Sequence, residues 1–177
     1  NPKVVNSIAR TLDFSFAKLY EGINFTEESA TSLEERAKNE CVVLVPNHQS
    51  HVDYIALTYA VFDKYKMPLY VAGGINLNIW PVGRLLRNAG CFFIRRSFNN
   101  DILYKLTLEG YLYYLLKTGQ PIEFFFEGGR SRTGKLLPPR FGLFGMLLDI
   151  YKQKKDEIGK PLAFIPVSIA HEYVPET

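Results

Sequence analysis

The stretch Pro46-Asn47-His48-Gln49-Ser50-His51-Val52-Asp53 holds the residues best suited to acid–base chemistry. His48 follows a short apolar run, Cys41–Val45, and Asp53 stands five positions later at the head of a helical pattern. Aspartate favours helix N-termini. A chain that passes from strand to helix over so few residues brings the Asp53 carboxylate back toward the His48 ring. A carboxylate on one imidazole nitrogen fixes the tautomer, raises the basicity of the other nitrogen and steadies the imidazolium once a proton is taken. Such a pair, with no nucleophile coupled to it, suits a general base acting on a substrate hydroxyl. The same octapeptide also reads as turn chemistry, with Asn47 and Ser50 bonding local backbone. The stretch alone leaves both readings standing; His51 reads as local support.

Other unusual residues also follow apolar runs. One run closes on Arg95-Arg96, and adjacent arginines at a strand end are costly unless they meet an anion. Guanidinium forks match phosphate oxygens in a bidentate way. With Arg130, Arg132 and Lys135 they form a cationic cluster, read here as phosphate-binding. Gly129 to Lys135 fits G-x-x-x-x-G-K and imitates a nucleotide-phosphate loop. Leu136 stands where Ser or Thr should hold magnesium, and Pro138-Pro139 where a helix should begin, so that reading fails twice. What remains is a Gly128-Gly129 turn that lets backbone approach a ligand, beside Glu127. Glu127 either orients an arginine or substrate hydroxyl, or forms an ion pair with Arg130 or Arg132. Met146 to Tyr151 and Tyr111 to Tyr114 read as packing, and His171 receives no role.

These residues need a scaffold that gathers them. Five apolar runs read as strands: Cys41–Val45, Leu69–Ala72, Cys91–Arg95, Ile122–Phe126 and Leu162–Val167. Helical patterns alternate with them at about Asp53–Lys64, Leu77–Asn88, Ile102–Lys117 and Gly142–Lys155. Strict alternation, with strands that are nearly continuous apolar runs, implies an α/β fold: a mostly parallel sheet covered by helices on both faces. Ligands bind at the carboxyl ends of such strands, where His48, Gly73-Gly74, Arg95-Arg96 and the Glu127–Lys135 loop all fall. Upstream, residues 3–20 have the spacing of an amphipathic helix, Ile23–Phe25 that of a short strand, and Ser32 with Glu35 that of a capping box for a helix through about Lys38.

At 47% hydrophobic and 22% charged the chain is globular, and 177 residues suffice for one domain with a real core. A net charge of +3 is too weak to indicate a nucleic-acid partner. Aromatics at 14% suit a filled core or an apolar ligand surface. Cys41 and Cys91, both placed in strands, read as free buried thiols of a reducing compartment. No apolar run reaches the ~18 residues of a membrane span, and no signal-peptide pattern is present. The chain reads as a piece of a longer one, with residues 1–40 a helical lead-in and 41–177 a catalytic core.

Taken together the blocks resemble the glycerol-3-phosphate acyltransferase family of the glycerolipid acyltransferase superfamily. N-H-x-x-x-x-D is met by Asn47, His48 and Asp53, and G-x-F-F-I-R-R by Gly90 and Phe92 to Arg96. F-x-E-G-G-R-S-R-T-G runs through Glu127 to Gly134, and Phe164-Ile165-Pro166-Val167 resembles the fourth block. Ala72 to Pro81 resembles the branch that uses glycerol 3-phosphate or dihydroxyacetone phosphate. Four blocks in order, over about Val42 to Glu172, are a specific signal. The resemblance implies a general base, His48, with Asp53 as its orienting partner. It implies an acceptor site of Arg95, Arg96, Glu127, Gly128, Gly129, Arg130 and Arg132. It further implies acyl transfer from acyl-CoA or acyl-carrier protein to the sn-1 hydroxyl of glycerol 3-phosphate, the first step of phospholipid synthesis. No metal or other cofactor is expected, and the expected location is the cytoplasmic face of a membrane, peripheral or anchored by regions outside the chain. Alternatives are dihydroxyacetone phosphate or lysophosphatidate as acceptor, and a non-catalytic phosphate- or lipid-surface-binding module.

Overall fold

A computed structural model of the chain describes residues 7, 23–26, 32–50, 52–95, 97, 101–131 and 133–171. Its centre is β1 (Cys41–Pro46), whose residues Cys41 to Leu44 are buried in unbroken succession, with Val45 half-buried. Side chains of a strand alternate between faces. Cys41 and Val43 accordingly join one core, and Val42 and Leu44 another. Only a sheet covered on both sides can bury both sets.

The sheet has the order β3-β2-β4-β1-β5, and every neighbouring pair is parallel. Its other strands are β2 (Tyr70–Gly74), β3 (Phe92–Ile94), β4 (Ile122–Glu123) and β5 (Leu162–Val167). Among the described residues α1 (Leu33–Asn39) precedes β1, and four α-helices connect the strands: α2 (Asp53–Tyr65), α3 (Val82–Asn88), α4 (Ile102–Lys117) and α5 (Gly142–Ile158). Leu108, Leu112, Leu115 and Leu116 of α4 and Met146, Leu147 and Ile150 of α5 cover one face. Leu33 of α1 and Leu57 and Val61 of α2 cover the other. Pro166 sits in β5, an edge strand, where a missing N–H is tolerated.

Several boundaries differ from the sequence expectation. The segment expected as a helix over Leu77–Asn88 is a 3₁₀ turn at Ile75–Leu77 and then α3, because Pro81 has no N–H to continue a helical ladder and instead precedes a new one. β3 is shorter than Cys91–Arg95, having only β2 beside it. Cys91 precedes it and is half-buried, and burial still pushes its thiol up to about 11. β4 ends at Glu123 rather than Phe126; after one more backbone bond, Phe124 N–H to Leu44 O at 3.2 Å, the chain turns. Residues 23–25 are irregular, not a strand, although Phe25 meets Tyr65 edge-on. Ser32 caps α1 by accepting from the Glu35 N–H at 3.2 Å. The helix expected over 3–20 lies outside the described residues, Ser7 apart.

Gly90, before β3, is one position where glycine is required. Its φ of +111° is left-handed, and a Cβ there would strike the Leu69 carbonyl oxygen. Among the described residues no helix is long and apolar enough to cross a membrane.

Candidate active site

His48 leaves the carboxyl end of β1, and α2 begins at Asp53. Val52 is the N-cap of that helix and supplies no side-chain bond. Asp53 does not cap it either; its carboxylate turns back into the preceding loop. Oδ2 accepts from the Gln49 N–H at 2.6 Å, the Ser50 N–H at 2.9 Å and His48 Nδ1 at 2.9 Å. Ser50 Oγ accepts in turn from the Val52 N–H at 3.1 Å. Turn chemistry and a His–Asp pair, competing readings of the sequence, are thus one object: the turn's own N–H groups hold the carboxylate that faces the ring.

Asp53 is wholly buried, and the His48 side chain is 13% exposed. Burial pushes the Asp53 carboxyl up, but hydrogen bonds from His48, Ser50, His171 and Gln49 outweigh it and hold the group below its ordinary value. An ionised Asp53 needs a proton on His48 Nδ1, so Nε2 carries the lone pair. The ring lies against Phe125, centroids 4.1 Å apart and planes tilted 32°.

The loop after β4 grips His48 by its backbone. Glu127, buried, accepts from the His48 N–H at 2.9 Å through Oε1 and from the Leu137 N–H at 2.7 Å through Oε2. The Ser131 N–H donates to His48 O at 2.8 Å. Ser131 Oγ donates to Lys135 O, and the Arg140 N–H to Phe126 O at 2.7 Å, so the loop closes on itself. Gly128 supplies the turn, with φ +62° and no room for a Cβ beside Arg140. Half-buried Arg130 adjoins Ser131 and so lies one residue from the His48 contact.

Arg95 lies at the same carboxyl edge of the all-parallel sheet, three strand spacings from β1, roughly 14 Å at ~4.8 Å per strand. Its guanidinium meets an anion of the chain itself: Nη1 is 2.9 Å from Asp101 Oδ2, and the group lies 4.4 Å from the Tyr104 ring centre. Asp101 also caps α4, its Oδ1 accepting from the Tyr104 N–H at 2.9 Å. Arg96, Arg132 and His51 lie outside the described residues.

The structure therefore brings His48, Asp53, Glu127 and the Gly128–Arg130 turn together and leaves Arg95 at a distance on the same edge. Sequence reasoning missed two partners. Asn47 locks the chain beyond β5, its Nδ2 donating to Ile169 O at 2.9 Å and its Oδ1 accepting from the Ile169 N–H at 2.6 Å. That clamp delivers His171, whose Nε2 is 2.5 Å from Asp53 Oδ1. The available signal was its place four residues past an apolar run, at the edge where other strands also end.

Comparison with known proteins agrees with this frame. A family model described as Acyltransferase matches residues 28–170. The chain is 41% identical over 168 residues to a glycerol-3-phosphate acyltransferase of Actinobacillus succinogenes, covering 94% of this chain and 20% of that protein. To proteins of the same name it is 38% identical over 172 residues in Haemophilus influenzae (97% and 21%) and 40% over 166 residues in Aeromonas hydrophila (93% and 20%). It spans about a fifth of the length of these relatives. By its fold, its order of motifs and these matches, the chain belongs to the acyltransferase family.

Proposed function

We propose that this domain transfers a fatty acyl group from acyl-CoA or acyl-carrier protein to the sn-1 hydroxyl of glycerol 3-phosphate, with His48 as general base. The observation that carries the reading is the buried Asp53 carboxylate on His48 Nδ1, which leaves Nε2 as the proton acceptor. The names of the relatives support the choice of acceptor. Nε2 takes the proton of the acceptor hydroxyl while its oxygen bonds to the thioester carbonyl carbon. Asp53 stays ionised and stabilises the imidazolium. The C–S bond then breaks, and the thiolate leaves with the proton from Nε2. No step calls on a metal or other cofactor.

The phosphate is assigned to Arg95, Arg96, Arg130 and Arg132, with the Gly128-Gly129 turn admitting it to backbone N–H groups and Glu127 fixing that turn. Arg95 has five donors and gives one to Asp101, which leaves the others for phosphate. A membrane surface is proposed as a partner. Trp80 (82% exposed) and Ile79 follow β2, Ile102 and Leu103 follow β3, and Leu136 follows β4, all exposed beyond the strand ends that hold the site. We place that surface on the cytoplasmic side.

The test is thiol release from acyl-CoA with glycerol 3-phosphate, run beside dihydroxyacetone phosphate and lysophosphatidate. His48→Ala is expected to lose about 10²–10⁴ in kcat, and Arg130→Ala to raise the acceptor KM. Near-normal turnover by His48→Ala removes the base assignment.

A further inference from the structure

We infer that His171 is a positioning residue that acts on His48 through the carboxylate the two imidazoles share. The inference rests on His48 being the base and adds a residue the proposed reaction does not use. Asp53 has two oxygens with separate duties. Oδ2 takes the His48 ring and the two loop N–H groups. Oδ1 takes His171, its donor among the described residues. His171 is itself nearly buried, its side chain 9% exposed against 0% for Asp53.

An ionised carboxylate without water around it needs donors at both oxygens. With Oδ1 satisfied, the charge stays on Asp53, His48 keeps its proton on Nδ1, and Nε2 stays ready to accept. Without His171, Oδ1 is left bare in a buried site. Protonation of Asp53 becomes the easier state, and a protonated Asp53 no longer draws the Nδ1 proton or steadies the imidazolium. The other ionisable groups facing this centre push the same way. Glu123, reaching the α2 side from β4, raises the cost of charge on Asp53 if it ionises. Glu127 sits against the His48 backbone N–H. His171 is thus the second cation-forming group against a carboxylate with acidic neighbours.

Its placement is built, not incidental. β5 pairs with β1 in register from Cys41↔Leu162 to Pro46↔Val167, and the next backbone bond is Asn47 N–H to Val167 O at 3.2 Å. Asn47 then clamps Ile169 from both sides, two residues before His171. The asparagine beside the base thereby fixes the segment that carries the base's second support.

The experiment compares His171→Ala and His171→Gln with the parent in the full-length protein, using glycerol 3-phosphate and acyl-CoA from pH 5 to 9. Glutamine places an amide N–H near the position of the imidazole Nε2 and guards against loss of the fold. His171→Ala is expected to lose about 10- to 100-fold in kcat with the acceptor KM nearly unchanged, and the acid limb of its kcat profile moves to higher pH. His171→Gln is expected to recover most of that loss. A normal kcat and an unmoved acid limb in His171→Ala, beside an inactive His48→Ala, overturns this inference alone. Equal loss in the alanine and glutamine variants overturns it as well, because the donor would then not matter. An active His48→Ala instead fails the base reading on which both rest.

Discussion

Replacing Glu123 by glutamine reads out a buried acid that the sheet carries beneath the candidate site. Glu123 is the last residue of β4 and pairs with Leu44 and Val71. Its neighbours Ile122 and Phe124 face the α4–α5 core, so its own side chain faces α2. There it is wholly buried. Thr58 Oγ1 is a distant donor to Oε2 at 3.4 Å, and Oε1 has no partner among the described residues. Burial pushes its carboxyl well above the ordinary value, the Thr58 bond opposes this weakly, and the negative Asp53 adds to it. The folded state therefore holds the proton that the unfolded chain releases above pH ~4.3. The sign follows: a raised folded value contributes stability that is full below ~4.3 and declines as pH rises through the window up to the folded value. The decline is about 1.4 kcal/mol per pH unit while the fold keeps the proton. Glutamine cannot titrate, so Glu123→Gln gains on the parent by about that much between pH 5 and pH 6. A fixed offset of ~1–3 kcal/mol for the poorly bonded amide leaves this slope unchanged. Urea denaturation of both proteins at pH 5, 6 and 7 measures the difference, from which the histidines common to both cancel. Parallel stability curves would refute the reasoning and mean that Glu123 is ionised in the fold.

Asp53→Asn keeps the shape but turns an amide toward donors; a loss of about 10²–10⁴ in turnover is expected, and thiol release within twofold of the parent would contradict the orienting role. Because the Asp53 carboxyl lies below its ordinary value, it adds stability above pH ~3.9 that is lost as pH falls through the folded value, and melting between pH 3 and 5 should show that limb weakened in the variant. Glu127→Gln must face one of two backbone N–H donors with its own NH₂. A cost of ~1–3 kcal/mol is expected, seen as a fall in Tm of about 2 °C or more, and an unchanged Tm would show that the loop closes by other means.

Parallel direction and cover on both faces were legible because β1 buries residues toward both sides, and unbroken apolar runs between helical patterns have few other solutions; the order β3-β2-β4-β1-β5 was not. Ends were less legible. β4 stops early because Phe125 leaves the ladder to lie on the His48 ring, a use of an aromatic that an apolar run conceals. The same run concealed Glu123, an acid whose face is decided by its neighbours' packing. Glu127 stood out beside the turn as a partner for an arginine or a substrate hydroxyl, yet the bonds the structure gives it come from two backbone N–H groups, which no residue type announces. His171 was harder to read for a different reason. Its contact with Asp53 spans 118 positions and exists only because β5 closes on β1 and Asn47 ties down Ile169. Residues that do chemistry announce themselves by type; residues that aim them depend on which strands become neighbours. Asn47 belongs to both groups: it is read as part of a motif with His48, and in the structure its side chain holds a segment more than a hundred residues away.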